Sequence, residues 1–200
     1  LVDTEVKVTD EELARMNVDK GMMTLVDEAR QAQLLSQLEG HLIKASHASG
    51  GSAGNSMIAT AQFGGPTFMS CKVAADADGD IYLSDLEAAG VDHCLNGERT
   101  DGITGKCLVL ITPDAERSMN TYLGISETLS VEELDADAIA ASEYVYIEGY
   151  LVTSPTGLAA AVRAREIAEA AGVKTALSFS DPGMVEFFRE GMASIVGSGV

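Results

Sequence analysis

The chain has 200 residues, 46% of them hydrophobic, and a formal net charge of −18, which is enough for one sizeable core of about one to two domains and too apolar for disorder. So negative a chain is a poor partner for nucleic acid or an anionic membrane surface, although a small phosphate ligand answers to a local helix end and one or two basic side chains. No apolar run approaches the ~20 residues of a membrane helix, and the three cysteines, Cys71, Cys94 and Cys107, form no Cys-x-x-Cys pair, so the chain reads as soluble and cytoplasmic, with reduced, partly buried thiols and no metal site.

In chain order, residues 4–8 alternate polar and apolar and 22–26 form a short β-like run. Residues 27–39 place Leu34, Leu35 and Leu38 at helical spacing. A glycine-rich turn, Ser49-Gly50-Gly51-Ser52-Ala53-Gly54-Asn55-Ser56, runs straight into the apolar-periodic 57–63. After Gly64-Gly65-Pro66 comes a strand-like run over 67–73, then a helix over 79–90 around Ile81, Leu83 and Leu86. Residues 104–111 lead through Pro113-Asp114 into 118–122 as a hairpin. Strand-like 144–147, an alanine-rich helix over 157–171 closed by Gly172, and strand-like 173–179 complete the order. Strands alternating with helices predict parallel βαβ units. The strands at about 4–8, 21–26 and 104–123 predict a small sheet set apart from the main one, a lid. With no methionine at Leu1 and a glycine-rich stop at Ser198-Gly199-Val200, the chain reads as a single unit, 1–200, incomplete at both ends.

The glycine-rich turn reads as a ligand loop on a helix N-terminus, because glycine gives backbone freedom and room, and the first helical turn offers free N–H groups and a positive dipole end. A tight turn with Ser52 as N-cap is the plainer reading of the same residues. No Gly-Lys-Ser/Thr follows and no Gly-x-Gly-x-x-Gly is present, so neither a P-loop nor a dinucleotide fingerprint is implied. Asn55, within the first turn, can both donate to and accept from a sugar hydroxyl. Asp76-Ala77-Asp78-Gly79-Asp80 with Glu87 is not a calcium loop, since Ile81 stands where such a loop needs glycine. It reads as an acidic helix start with Asp78 as cap and Asp80 favoured by the dipole. His41, His47 and His93 share no ligand spacing and receive no role, and no Gly-x-Ser-x-Gly elbow appears. On spacing alone, Arg117 is a solvated hairpin charge and Asp3 a surface residue.

Together these motifs resemble those of the ribokinase-like (PfkB) kinases. Leu1-Val2-Asp3 is similar to the end of their Gly-Asn-x-x-x-Asp strand, Gly50-Gly51-Ser52-Ala53-Gly54-Asn55 to their Gly-Gly-x-x-x-Asn signature, residues 73–80 to their Gly-x-Asp-x-x-Gly stretch, and Thr104-Gly105-Lys106 to the start of their lid hairpin. Residues 114–119, 146–150 and 177–182 resemble the adenosine kinase branch more than ribokinase itself.

The resemblance implies an α/β fold, a doubly wound and mainly parallel sheet flanked by helices with a small β lid, and transfer of the ATP γ-phosphate, with Mg²⁺, to a primary hydroxyl of a nucleoside or sugar. Asp3 and Asn55 would hydrogen-bond the ribose hydroxyls beside the Gly50 and Gly51 backbone, Arg117 would reach the phosphate in transfer, and Met23, Tyr150 and Leu151 would line the base pocket. The family's Gly-Ala-Gly-Asp and Asn-x-x-Glu motifs do not occur in these residues. They are expected just past Val200. A nucleoside kinase of adenosine kinase type is thus implied, working as a monomer or as a homodimer through the lid. A ribose or fructose kinase and a non-catalytic nucleoside-binding fragment are the alternatives.

Overall fold

The structure, a computed structural model, describes residues 1–38, 40, 46–95, 97 and 99–197. His41 and the segment Ser198-Gly199-Val200 lie outside the described residues. The chain divides into two compact units: Leu1–Gly51, Val73–Leu86 and Arg99–Ser126 form the first, and Ser52–Lys72, Glu87–Glu98 and Glu127–Val200 the second.

The first unit is built on β1 (Val2–Lys7), helix α1 (Asp10–Arg15), β2 (Met23–Leu25), helix α2 (Glu28–Gln37) and β3 (Ser46–Ser49). Helix α1 starts where Thr9 and Glu12 form a reciprocal capping box. Helix α2 starts where the Asp27 carboxylate accepts from the Arg30 amide. Their apolar sides carry Leu13, Met16, Leu34 and Leu38 onto Val6, Val8, Leu108 and Leu110, giving one buried cluster. Each of those side chains contributes about 1.5–3 kcal/mol of burial.

The second unit holds helix α3 (Ser52–Gln62), β4 (Thr67–Met69) and, past the first-unit start of helix α4 (Ala77–Ala88), β5 (Val91–His93). Strands β6 (Lys106–Ile111) and β7 (Arg117–Tyr122) return to the first unit as an antiparallel hairpin and complete a five-stranded sheet in the order β2-β7-β6-β1-β3. The expected lid strands all fall in this sheet, but β1 is continuous from Val2, so Asp3 lies on the same strand as the alternating run.

The remaining elements of the second unit are helix α5 (Ala136–Ala140), β8 (Tyr144–Glu148), helix α6 (Pro155–Ala171), β9 (Lys174–Ser178), helix α7 (Pro182–Phe187) and helix α8 (Arg189–Val196). Strands β4 and β5 pair in parallel, as do β8 and β9. Helix α6 begins at Ser154, whose hydroxyl accepts from Gly157 N, and ends at Gly172 with φ +72°. Its buried face is made of Gly157, Ala160, Ala161, Ala164 and Ala168, small residues that let α5 and β8 approach through Ile139 and Val145.

Two local expectations need correcting. Helix α4 begins at Ala77, and its cap is Asp76, which accepts from Gly79 N, rather than Asp78. The buried face is therefore Gly79, Tyr82 and Leu86 rather than Ile81, Leu83 and Leu86. Asp78 instead pairs with Lys106 at 2.6 Å, and Asp80 with Arg99. The strand expected over 67–73 stops at Met69. Beyond it, the Cys71 amide donates to the Cys94 thiol instead of to a ladder carbonyl.

Candidate functional site

Strand register decides which first-unit candidates meet. Asp3 lies opposite Cys107, which lies opposite Thr121; Glu5, Val109, Met119 and Met23 form the next row, and Lys7, Ile111 and Arg117 the one after. Opposed residues point to the same side of a sheet. Asp3, Met23 and Arg117 therefore share one face, the face opposite that packed on α1 and α2.

On that face the Asp3 carboxylate is pressed against the glycine-rich turn. A Cβ built on Gly50 would stand 1.9 Å from Asp3 Oδ1, so only glycine fits. Gly50 N donates to the Leu1 carbonyl at 2.8 Å, which fixes the approach. Gly51 has a different reason to be glycine, since its φ is +85°. Burial pushes the Asp3 pKa up, with the ammonium at Leu1 and then the Arg117 guanidinium pulling the other way. Among the described residues, nothing donates to its acceptor oxygens.

Arg117 pairs with Glu5 at 3.3 Å, the two side chains being 52% and 43% exposed. An ion pair that open is worth about 0–1 kcal/mol, too little to prevent the guanidinium from moving to a ligand. Met23 is half-buried on β2.

A short distance along the fold of this unit, Asp76 is held differently. Burial raises its pKa, but the hydrogen bonds from Thr104 Oγ1 at 2.5 Å, Thr104 N and Gly79 N outweigh it, and the net pKa is lowered. Thr104 is wholly buried, so this carboxylate splices the start of α4 to the strand that becomes β6.

In the second unit three hydroxyls converge on a residue to which the sequence assigned no role, Glu148. It is the last residue of β8 and is buried. Its Oε2 accepts from the Ser52 hydroxyl at 2.5 Å and the Tyr146 hydroxyl at 2.9 Å, and its Oε1 accepts from the Ser180 hydroxyl. Ser180 has φ +64°, a left-handed conformation rare for serine, and its hydroxyl also accepts from Tyr150 N at 3.1 Å. Ser52 is the first residue of α3, and Asn55 lies exposed in that same first turn. Half-buried Tyr150 and Leu151 follow Glu148 in a 3-10 turn, Gly149–Thr153. Glu148 and Ser180 thus stand at and just beyond the carboxyl ends of parallel strands, where open α/β sheets bind ligands. The signal available in the sequence was a carboxylate closing the apolar run Tyr144-Val145-Tyr146-Ile147.

The candidate residues therefore fall into two groups: Asp3, Met23, Gly50, Gly51 and Arg117 in the first unit, and Asn55, Tyr150 and Leu151 in the second. Among the described residues, no three His, Cys, Asp or Glu side chains come together as a metal site, and no helix is long and apolar enough to cross a membrane.

Residues 7–198 match the pfkB family of carbohydrate kinases. Similar solved structures include a probable sugar kinase from Rhizobium etli, 34% identical with a TM-score of 0.91, of which this chain matches 59% while 99% of this chain is covered. Another is an adenosine kinase from Sinorhizobium meliloti, 35% identical with a TM-score of 0.92, covering 100% of this chain and 60% of its own. An adenosine kinase from Anopheles gambiae, at 20% identity, a TM-score of 0.84 and coverage of 98% and 61%, shares the fold. The chain spans about 60% of the length of the structures it matches. Its fold is of their α/β type, with four parallel and two antiparallel strand pairings among the described residues.

Proposed function

The chain belongs to the pfkB family of carbohydrate kinases, and from that premise we propose that it carries the acceptor-binding part of an ATP-dependent kinase acting on the primary (5′) hydroxyl of a ribonucleoside, foremost adenosine. The observation that carries this reading is the Asp3 carboxylate, partly buried against Gly50 with no hydrogen bond from a described residue. Such a group is costly to leave unpaired, and two vicinal ribose hydroxyls are the donors that a carboxylate accepts at once. The Gly50 and Gly51 backbone leaves space beside it, and Met23, on the same face of the sheet, supplies polarizable surface for a flat base.

In the reaction, the acceptor oxygen attacks the γ-phosphorus of ATP, the bond from that phosphorus to the β-phosphate oxygen breaks, ADP leaves, and the hydroxyl proton passes to a base. Arg117 would stabilise the charge spread over the equatorial oxygens of the phosphoryl group. Mg²⁺, when bound with ATP, would neutralise phosphate charge; the described residues contain no cluster of three His, Cys, Asp or Glu side chains to hold it.

A sugar kinase is the second reading, favoured by the 34% identity to a probable sugar kinase. Phosphoryl transfer from ATP to adenosine, ribose and fructose, measured on the natural full-length protein, separates the two. Preference for adenosine supports the first reading, and transfer to the free sugars alone overturns it. Calorimetry of adenosine with the Asp3→Ala variant tests the carboxylate itself, with an expected loss of about 1.5–3 kcal/mol for hydrogen bonds to a charged group.

A further inference from the structure

Two of the three cysteines come together in the second unit, although 71 and 94 are far apart in sequence. Each follows one of two paired parallel strands, β4 and β5, whose register sets Met69 opposite His93. The Cys71 amide donates to Cys94 Sγ at 3.3 Å, and Cys94 Sγ donates to the Cys71 carbonyl at 3.3 Å. Cys71 is buried while Cys94 is partly exposed, and Cys94 forms part of the wall of a cavity of about 360 Å³ otherwise lined by residues 132–137. One thiol is thus open to a small reagent, and the other stands behind it.

We propose that Cys94 and Cys71 form a peroxide-responsive thiol pair, Cys94 as the reacting thiolate and Cys71 as the resolving thiol, closing to a reversible disulfide. The Cys94 thiolate attacks one oxygen of hydrogen peroxide, giving sulfenic acid and hydroxide as the O–O bond breaks. The Cys71 sulfur then attacks the Cys94 sulfur, expelling the sulfenic oxygen, which leaves as water. Two thiols lose two electrons and two protons, and one peroxide becomes two waters.

The surroundings select the reagent. Four carboxylates, Glu132, Glu133, Asp135 and Asp137, border the cavity. Glu133 is kept ionised by Lys72, paired with it at 2.8 Å, and by Ser130. An anionic thiol or disulfide is repelled there, while a neutral peroxide is not. The Cys71 side chain and amide beside it hold the Cys94 pKa below its usual value against the pull of burial, while the Cys71 pKa is pushed up. At neutral pH the outer sulfur is therefore the nucleophile.

The test uses the whole chain, reduced, exposed to hydrogen peroxide and then blocked with N-ethylmaleimide. The expected result is an intact mass lower by about 2 Da before blocking, for the hydrogens lost, then a peptide joining Cys71 to Cys94 with maleimide on Cys107 alone, and full reversal by dithiothreitol. In Cys71→Ser, the sulfenic acid should persist on Cys94 and be captured by dimedone. The proposal is overturned if Cys107 oxidises as fast as Cys94, if Cys94 goes to sulfinic acid with no Cys71 link, or if peroxide leaves all three thiols unchanged. Should the Cys71 variant fail to fold, the wild-type peptide map decides. As a check on the cavity, iodoacetamide should exceed iodoacetate at Cys94 by a larger ratio than at free cysteine; an equal ratio denies the carboxylates any part in selection.

Discussion

Two carboxylates of this chain, Glu148 buried and Asp3 half-buried, are held to different ends. Glu148 spends its oxygens on three hydroxyls of its own unit, from Ser52, Tyr146 and Ser180, and so locks the start of α3 to the end of β8. Asp3 has been brought against a glycine and accepts no hydrogen bond from a described residue. A carboxylate satisfied by its own fold is a structural tie, whereas one left desolvated without donors is free to accept from a ligand, which is the role proposed for Asp3. Substitutions should separate the two roles.

The largest effect is expected where charge develops during the reaction. Arg117→Ala in the full-length protein should lower kcat by about 10- to 1000-fold with little change in nucleoside Kd, because its stabilisation is realised in the transition state. Lysine should rescue only in part, lacking the planar fork. Steady-state kinetics beside calorimetry checks this, and an unchanged kcat returns Arg117 to being the exposed partner of Glu5.

Next is the tie. Glu148→Ala leaves the exposed Ser52 and the half-buried Tyr146 and Ser180 hydroxyls without their acceptor, and a cost of about 1–3 kcal/mol in stability is expected. Urea denaturation of the variant reads it directly. The same truncation at Asp3 should cost ligand affinity rather than stability, so a large loss of stability at Asp3, or none at Glu148, breaks the comparison. Gly51→Ala comes after these, at about 1–2 kcal/mol, since φ +85° is a left-handed backbone that alanine resists.

The sequence carried the two groups unequally. Helices α2 and α6 were legible because their apolar or small residues recur at three and four positions and their caps stand in the sequence as Asp27, Ser154 and Gly172. Strand β3 was not: Ser46-His47-Ala48-Ser49 has no alternation, and it becomes a strand because β1 offers it an edge. Asp3, Gly50, Gly51 and Asn55 were recognisable only through motifs, since no local pattern tells that Gly50 will face Asp3. Glu148 stayed silent because its donors come from three separate segments. The start of α4 was misread by two residues because three aspartates compete for one cap, and only Thr104, reaching back to Asp76, decides among them.

The smallest effects lie within the first unit, where Asp3 and Asp76 should respond to pH in opposite directions. The Asp76 pKa is lowered by Thr104 and Gly79 against the pull of burial, so its contribution to stability is present above the unfolded value of about 3.9 and is lost as pH falls through the folded value. The Asp3 pKa is raised by burial, so the fold favours its protonated form. That contribution is full below the unfolded value and is lost as pH rises through the folded one. At neutral pH the Asp3 charge therefore burdens the fold that displays it. Asp76→Asn should destabilise the protein at pH 7 and lose part of that effect in acid. Asp3→Asn should leave stability at pH 7 equal or higher while nucleoside affinity falls. Denaturation curves at pH 7 and pH 4 on both variants decide the matter. If Asp3→Asn lowers stability at pH 7 as Asp76→Asn does, the Asp3 carboxylate is a tie like Glu148, and the ligand role proposed for it fails.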